Sequence, residues 1–365
     1  MKKLRVGVLF GGRSGEHEVS LKSANSILNA LDRELFEVIP IGIRKNGEWI
    51  SGEAPLEELE TGIKNQGNYA VSILPDPSKK VLWKLDPFEK ISEIDLIFPV
   101  LHGTFGEDGT VQGFLDLCGI PYVGSGVLGS SLAMDKVMMK KILRRHGLQV
   151  ANYYSFKRSE WEQDRDEIIF SIEKQLSYPI FVKPANLGSS VGISKVKNRE
   201  ELIQGIDLAV KYDMKCLAEE FIPGKEIELS ILGNDNPKTS VPGEIIPANE
   251  FYDYNAKYIN NKSKLVIPAP LSETLKTKIE DMGVEAFRVL DCYGLSRVDY
   301  FVLEDQEEVY INEINTMPGF TEISMYPKLW TESGLSYSQL LTDLIYLALA
   351  RQQEKDRNST DFSES

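Results

Sequence analysis

Apolar positions along the chain follow two periods. Short continuous runs, "LRVGVLF" (4–10), "FEVIPIGI" (36–43) and "IDLIFPVL" (94–101), read as buried strands, and "VSLKSANSILNAL" after the first has helical spacing. The loop "HGTFGEDGT" and a helix over 110–118 follow the third run. Strands alternating with helices predict parallel pairing in a doubly wound sheet, with this first domain ending near Gly124. Residues 44–90 are mixed and polar and yield no assignment.

Beyond Gly124 the pattern changes. "GVLGSSLAMDKVMMKKILRRHG" holds a helix that Gly147 ends. "YPIFVKP" and "VGISKVK" predict two strands flanking a Gly/Ser loop, and "KCLAEEFIPG" another strand with its exit. The last third carries the short strands "IELSILG", "SRVDYFVL" and "EVYINEIN" and helices over 272–293 and 336–350. "FYDYNAKY" (251–258) fits neither period; a polar loop this rich in tyrosine points to a functional segment. The polar tail 351–365 reads as disordered, and no internal repeat is visible.

Composition narrows the classes. A chain of 365 residues, 42% hydrophobic and 26% charged, is ordinary for a soluble protein of two or three domains. Its formal charge of −14 gives no global attraction for nucleic acid or anionic lipid, so an anionic ligand needs a local cation cluster. No apolar run reaches the length of a membrane span. The basic, then apolar, N-terminus breaks at Gly11-Gly12, too early for a signal peptide. Cys118, Cys216 and Cys292 are odd in number and form no CxxC pair, as expected for free thiols in a reducing cytosol. Three histidines make a His-rich zinc site a poor candidate.

The candidate chemistry sits in two places. In "LSRVDYFVLEDQEEVYINEINTMPG" two strands flank the polar turn 304–308. Centring an antiparallel hairpin near Gln306 sets Asp299 opposite Glu313 and Arg297 opposite Asn315, all on one face. A solvent-facing polar stripe has the same period. Against it, the other face is strongly apolar, as in a strand covered on both sides, and the stripe runs into Met317-Pro318-Gly319, a turn with free N–H groups. Two carboxylates and a carboxamide suit Mg²⁺ completed by phosphates and water. The second place is "FVKPANLGSSVGISKV", where Lys183 ends a strand before a Gly/Ser loop able to wrap phosphate. It is neither a Walker A loop nor a dinucleotide fingerprint, and alone it reads equally as a plain connection. Together with the hairpin and "EEFIPGKEIE" it forms a nucleotide site, with Glu219 for the adenine amino group and Glu226 for the ribose.

In order along nearly the whole chain, "GGRSGEHEVSL", "LHGTFGEDGTVQG", "MDK", "VKPANLGSSVGISKV", "EEFIPGKEIELSILG", "FYDYNAKY", "RVDYF" and "NEINTMPGFTEISMYP" resemble the D-alanine–D-alanine ligase family of the ATP-grasp superfamily. The resemblance implies an α/β fold: a Rossmann-like N-terminal domain (1–124), then two ATP-grasp subdomains (125–218 and 219–350) whose antiparallel sheets hold ATP between them. It implies Lys136, Lys183, Ser189, Ser190, Glu220, Phe221 and Lys257 beside Glu219 and Glu226 at ATP, and Asp299, Glu313 and Asn315 on two Mg²⁺ or Mn²⁺ ions. Glu18 and His102 would face the first D-alanine, and Glu18, Ser189 and Tyr258 would form a hydrogen-bonded trio closing the site. Arg297 and the Gly319 N–H would stabilise the oxyanion, and Ser324, beside Met325, would hold the second carboxylate. Individually these residues have plainer readings: Glu18 as a first-turn acid, Lys136 as a solvated lysine, His102 as a loop cap, Ser324 as a surface serine.

The implied activity is ATP-dependent synthesis of D-alanyl-D-alanine through an acylphosphate, for cell-wall precursors, by a cytoplasmic homodimer with no nucleic-acid or membrane partner. "FYDYNAKY" would be the lid that keeps water out. A D-alanine–D-lactate ligase, whose lid lacks this tyrosine, a ligase for another carboxylate, and a non-catalytic ATP-grasp-like binding protein are the alternatives.

Overall fold

The structure is a computed structural model that describes residues 2–188, 191–247 and 264–359. The first seven strands are β1 (Leu4–Gly11), β2 (Phe36–Ile43), β3 (Trp49–Gly52), β4 (Asn68–Ile73), β5 (Val81–Leu85), β6 (Phe88–Glu93) and β7 (Leu96–Val100). They form one sheet in the order β6-β5-β4-β3-β2-β1-β7. Only β2, β1 and β7 pair in parallel; the pairs from β2 to β6 are all antiparallel. The expected parallel sheet is therefore a mixed one. Its antiparallel half is the stretch 44–90, whose strands are short, joined by tight polar connections and covered incompletely, so their apolar signal is weak.

The sheet is covered on both faces, because β1 alternates its side chains between two cores. Val6, Val8 and Phe10 pack with Ala24 and Ile27 of the His17–Ala30 helix and with Leu340, Leu341, Leu344 and Ile345 of the Tyr337–Lys355 helix. Leu9 packs instead with Ile41, Ile97, Val111 and Leu115, beneath the Thr110–Leu117 helix. The last helix of the chain thus closes the first core. It also runs five residues past the expected start of the tail, to Lys355. There Arg351 donates to the Tyr122 carbonyl at 3.1 Å and Lys355 meets Asp116 at 2.7 Å, contacts that only the folded chain provides.

The second sheet holds β8 (Tyr153–Lys157), β9 (Ile180–Pro184), β10 (Ser194–Val196) and β11 (Lys215–Glu220) in the order β10-β9-β11-β8, all antiparallel. The third holds β12 (Lys225–Gly233), β13 (Lys238–Thr239), β14 (Gly243–Ile246), β15 (Lys264–Val266), β16 (Gly294–Leu303) and β17 (Glu308–Asn315), with β15-β14-β12-β16-β17 as its main path. Helices Arg165–Gln175 and Arg199–Tyr212 back the second sheet, and Glu273–Val289 backs the third.

Between these sheets the single helix expected before Gly147 is two, Val127–Met134 and Lys136–Arg145. Asp135 breaks it. Its side chain accepts from the Val137 and Met138 N–H groups at 3.1 and 3.0 Å, a cap that starts the second helix in a new direction. In that helix Val137 packs with Tyr153, Ala185 and Leu217, while Met139 and Leu143 join the core beneath β12 and β16. Lys136 and Lys140, four residues apart, share the face left over; Lys136 lines the cleft between the sheets and Lys140 is fully buried.

Candidate active site

The cleft is lined by Lys136, Phe181, Lys183, Glu219, Phe221, Glu226, Glu228, Asp299, Asn312 and Glu313, and holds about 1010 Å³ of empty space with open solvent included, room for a nucleotide. Its third-sheet wall is the β16–β17 hairpin. Asp299 pairs with Glu313 and Arg297 with Asn315, the register expected from the turn. That register survives because of a bulge: past Asp299 the pairing shifts, so Tyr300 stands opposite Ile311. Asn312 is the extra residue, and it and Glu313 both reach the cleft although they are consecutive.

The cross-strand row extends to β12, where Glu228 is paired with Asp299. Glu228, Asp299 and Glu313 thus stand side by side on three strands, and like charges directly opposite are unfavourable without a cation. Arg297 supplies one. Its Nε and Nη2 donate to the two Asp299 oxygens at 2.7 Å each, and its Nε lies 3.0 Å from Glu228. Burial works against this guanidinium's charge, but Asp299 and Glu228 outweigh it and hold the group firmly protonated. Asn315 Nδ2 donates to Asp299 at 3.1 Å. Glu228 was not among the sequence candidates, although its alternation with Glu226 along β12 carries the signal.

The opposite wall brings the lysines. Lys136 Nζ donates to the Leu187 carbonyl at 2.8 Å and lies 3.6 Å from Glu313. Lys183 Nζ lies 3.3 Å from Glu219 Oε1 and 3.5 Å from Asn312 Oδ1. Glu219 is fully buried; burial raises its pKa, yet Lys140 and Lys183 prevail and keep it below the usual carboxylate range. Phe221 stands 6.0 Å from Phe181, with Lys195 over its ring at 4.1 Å. Glu220 also borders the cleft, but its carboxylate accepts from the Asn152 backbone at 2.7 Å and side chain at 3.2 Å, so it is engaged in tying strands together.

At the first-sheet end stand Glu18, Glu16 and His102. Glu18 is 59% exposed and its carboxylate meets Lys45 at 2.6 Å, away from the cleft. Glu16 lies instead toward the Gly/Ser loop. Its Oε2 lies 3.0 Å from where a Cβ on Gly188 would stand, and closer still to one on Gly103, so it sits between those two glycine loops. Glu16 is the N-cap that precedes the helix and Glu18 lies in its first turn, and their side chains leave in different directions. The buried residues Val19, Ser20 and Ser23 mark the side Glu16 shares. His102 is buried. Its Nε2 pairs with Ser23 Oγ at 3.0 Å and its Nδ1 with the Met317 carbonyl at 2.9 Å, with Glu107 at 3.4 Å. Burial disfavours charge on this ring, and Glu107 more than compensates, raising its pKa. His102 is thus a tether from the first domain to the 317–320 turn, with both nitrogens engaged.

That turn carries Gly319, whose α-carbon side faces Ser324 Oγ, 3.0 Å from a Cβ built there. Ser324 Oγ also lies 2.7 Å from Thr321 Oγ1. Met325 spends its side chain on packing against Ile245 and Leu329. Ser189, Ser190, Lys257, Tyr258 and the "FYDYNAKY" loop lie outside the described residues. The three cysteines are buried and unpaired. Among the described residues no helix is long and apolar enough to cross a membrane, and no three His, Cys, Asp or Glu side chains form a metal cage by themselves.

Residues 5–125 match the family described as D-ala D-ala ligase N-terminus, and residues 142–346 match D-ala D-ala ligase C-terminus. A D-alanine–D-alanine ligase of Heliobacterium modesticaldum is 50% identical over 362 residues, 99% of each chain. One of Bacillus cytotoxicus is 48% identical over 367 residues, 98% of this chain and 99% of that one. Among solved structures, the VanG D-Ala:D-Ser ligase of Enterococcus faecalis superposes with a TM-score of 0.86 at 37% identity, covering 95% of this chain and all of that one. The D-alanine-D-alanine ligase of Coxiella burnetii gives 0.86 at 36%, covering 98% of this chain and 97% of that one. With both halves matched in order and relatives near half identity aligned end to end, this chain belongs to the D-alanine–D-alanine ligase family.

Proposed function

We propose that this chain joins two D-alanines to D-alanyl-D-alanine at the expense of ATP. The observation that carries the reading is the pair of opposed cleft walls, Lys136 and Lys183 on one side and Asp299 and Glu313 on the other, with Asn315 bonded to Asp299. Condensing a carboxylate with an amine in water is uphill, so the carboxylate needs activation. ATP would lie between the sheets, its phosphates toward Lys136 and Lys183 and its adenine and ribose toward Glu219 and Glu226. The first D-alanine's carboxylate attacks the γ-phosphoryl group, giving D-alanyl phosphate and ADP. The second D-alanine's amine then attacks the acylphosphate carbon, and phosphate leaves. Arg297 and the Gly319 N–H stabilise the tetrahedral oxyanion. Glu16, rather than Glu18, orients the first ammonium.

Asp299, Glu313 and Asn315 suit Mg²⁺ or Mn²⁺: all three carry hard oxygen atoms, and Asp299 and Glu313 stand directly opposite each other on neighbouring strands. When bound, the ions would neutralise and orient the transferring phosphoryl oxygens. Ser189, Ser190, Lys257 and Tyr258 keep the phosphate and lid roles that the family resemblance implies, and Ser324 holds the second carboxylate. The three-domain division, a homodimer and a cytosolic location belong to the same reading.

A second reading concerns the acceptor. The likeness to a D-Ala:D-Ser ligase makes D-serine a competitor for the second site. An ADP-release assay over D-alanine, D-serine, D-lactate and L-amino acids tests both. ADP release with D-alanine alone and a D-alanyl-D-alanine product support the first reading. No turnover with D-alanine, but turnover with another acid, overturns it.

A further inference from the structure

Lys140 has no part in the reading above, yet it is one of the largest fully buried side chains in the protein. It projects from the Lys136–Arg145 helix to the back of the cleft. Its Nζ lies 3.1 Å from Glu219 Oε2 and 3.4 Å from the carbonyl of Asn312, the bulge residue of β17. Glu219 is thereby held between two lysines, with Lys183 3.3 Å from its other oxygen. An ammonium this deep is costly to bury, and burial does pull the Lys140 pKa down. A methionine would fill the same space without that cost.

The arrangement has a use if Lys183 is a phosphate ligand, and the inference rests on that nucleotide reading. In this structure the Lys183 ammonium is engaged with Glu219. Drawing this ammonium onto a phosphate weakens that contact. With Lys183 as its only cation, Glu219 would be a buried, uncompensated carboxylate at that moment, and would hold Lys183 back. We propose that Lys140 is a positioning residue that neutralises Glu219 permanently, so that Lys183 is free to move onto the nucleotide phosphates. Its second contact, to the Asn312 carbonyl, fixes it between the helix and the bulge and leaves it no route to the ligand itself.

The test compares ADP with adenosine, measured as competitive inhibitors against ATP on the full chain. Both fill the nucleoside pocket, but only ADP calls on Lys183. Lys140→Met should cut the ratio of ADP to adenosine affinity by about tenfold or more, the scale of a charged contact withheld, with little change in the KM for D-alanine. Lys140→Gln should act in the same direction while keeping a donor for the Asn312 carbonyl, which guards against a variant that fails to fold. K140R, which keeps the charge, should hold the ratio near wild type. Adding Glu219→Gln to K140M removes the trap and should restore the ratio, even where absolute affinities stay low. A wild-type ratio in K140M and K140Q, or equal losses for ADP and adenosine, would overturn the inference alone. Wild-type protein that binds neither ligand would overturn the nucleotide reading, and this inference with it.

Discussion

Two glutamates flank His17, and the fold predicts opposite fates for them when each is changed to glutamine. Glu18 and Lys45 are 59% and 66% exposed, so water and salt screen their pair. Exposed pairs of this kind contribute about 0.2–1 kcal/mol, which bounds any effect of E18Q at roughly fivefold. Glu16 sits between the Gly103 and Gly188 loops, at the junction of the first domain with the Gly/Ser loop. If it orients the ammonium of the first D-alanine, E16Q forfeits a charge-assisted hydrogen bond, about 1.5–3 kcal/mol, or roughly 10- to 150-fold in kcat/KM for D-alanine. The assay is coupled ADP release with D-alanine varied at saturating ATP, and with ATP varied at saturating D-alanine. The loss should appear in the D-alanine series and leave the KM for ATP nearly unchanged. Melting temperatures of both variants should stay close to wild type. E18Q losing tenfold or more while E16Q matches wild type would refute the assignment by helix face.

Other variants test other parts. Glu313→Gln should lower turnover by at least about 10²-fold with little change in melting temperature, because a charged oxygen at the transferring phosphoryl group is lost; steady-state kinetics and calorimetry check both halves. Arg297→Met should destabilise by about 3–5 kcal/mol in denaturant titrations, since it strips the cation from Asp299 beside Glu228, whereas R297K should recover much of that stability but still lose turnover for want of the bidentate fork. Tyr258→Phe should shift the D-alanine to D-lactate ratio toward D-lactate by about 1–3 kcal/mol of discrimination, measured by product analysis across pH 6–9. Gly129→Ala should lower the melting temperature without touching the KM for ATP, because its Cβ would stand 2.2 Å from the Asp291 carbonyl oxygen.

The hairpin that carries the carboxylate row was legible in the sequence because strand alternation and a short polar turn are local quantities. Two strands joined by a few residues have few registers, and the one that aligns the polar faces is the one observed. The buried runs of β1, β2 and β7 were legible for a similar reason, since a strand covered on both faces is apolar at every position. Their parallel pairing followed from strands alternating with helices.

What the sequence left open was decided by contacts between distant segments. The strands within 44–90 are short and half covered, so only their pairing onto β2 and onto one another identifies them. The Asp135 break takes its sense from the two sheets that the following helix must touch at once. Which glutamate beside His17 meets the site depends on the side of the helix that packs, and the packing partners lie about 80 residues away, as in the bond from Ser20 to the Val100 carbonyl. His102 holds Ser23 and the Met317 carbonyl through its two ring nitrogens, partners that lie 79 and 215 residues away in the chain. Lys140 is the clearest case. In the sequence it is one of several cations on a polar helix, and only the closing of two sheets around Glu219 turns it into a buried charge with a partner. Local patterns set which elements form; the burial of charge, which costs too much to occur without a partner, is settled only when the chain brings that partner in.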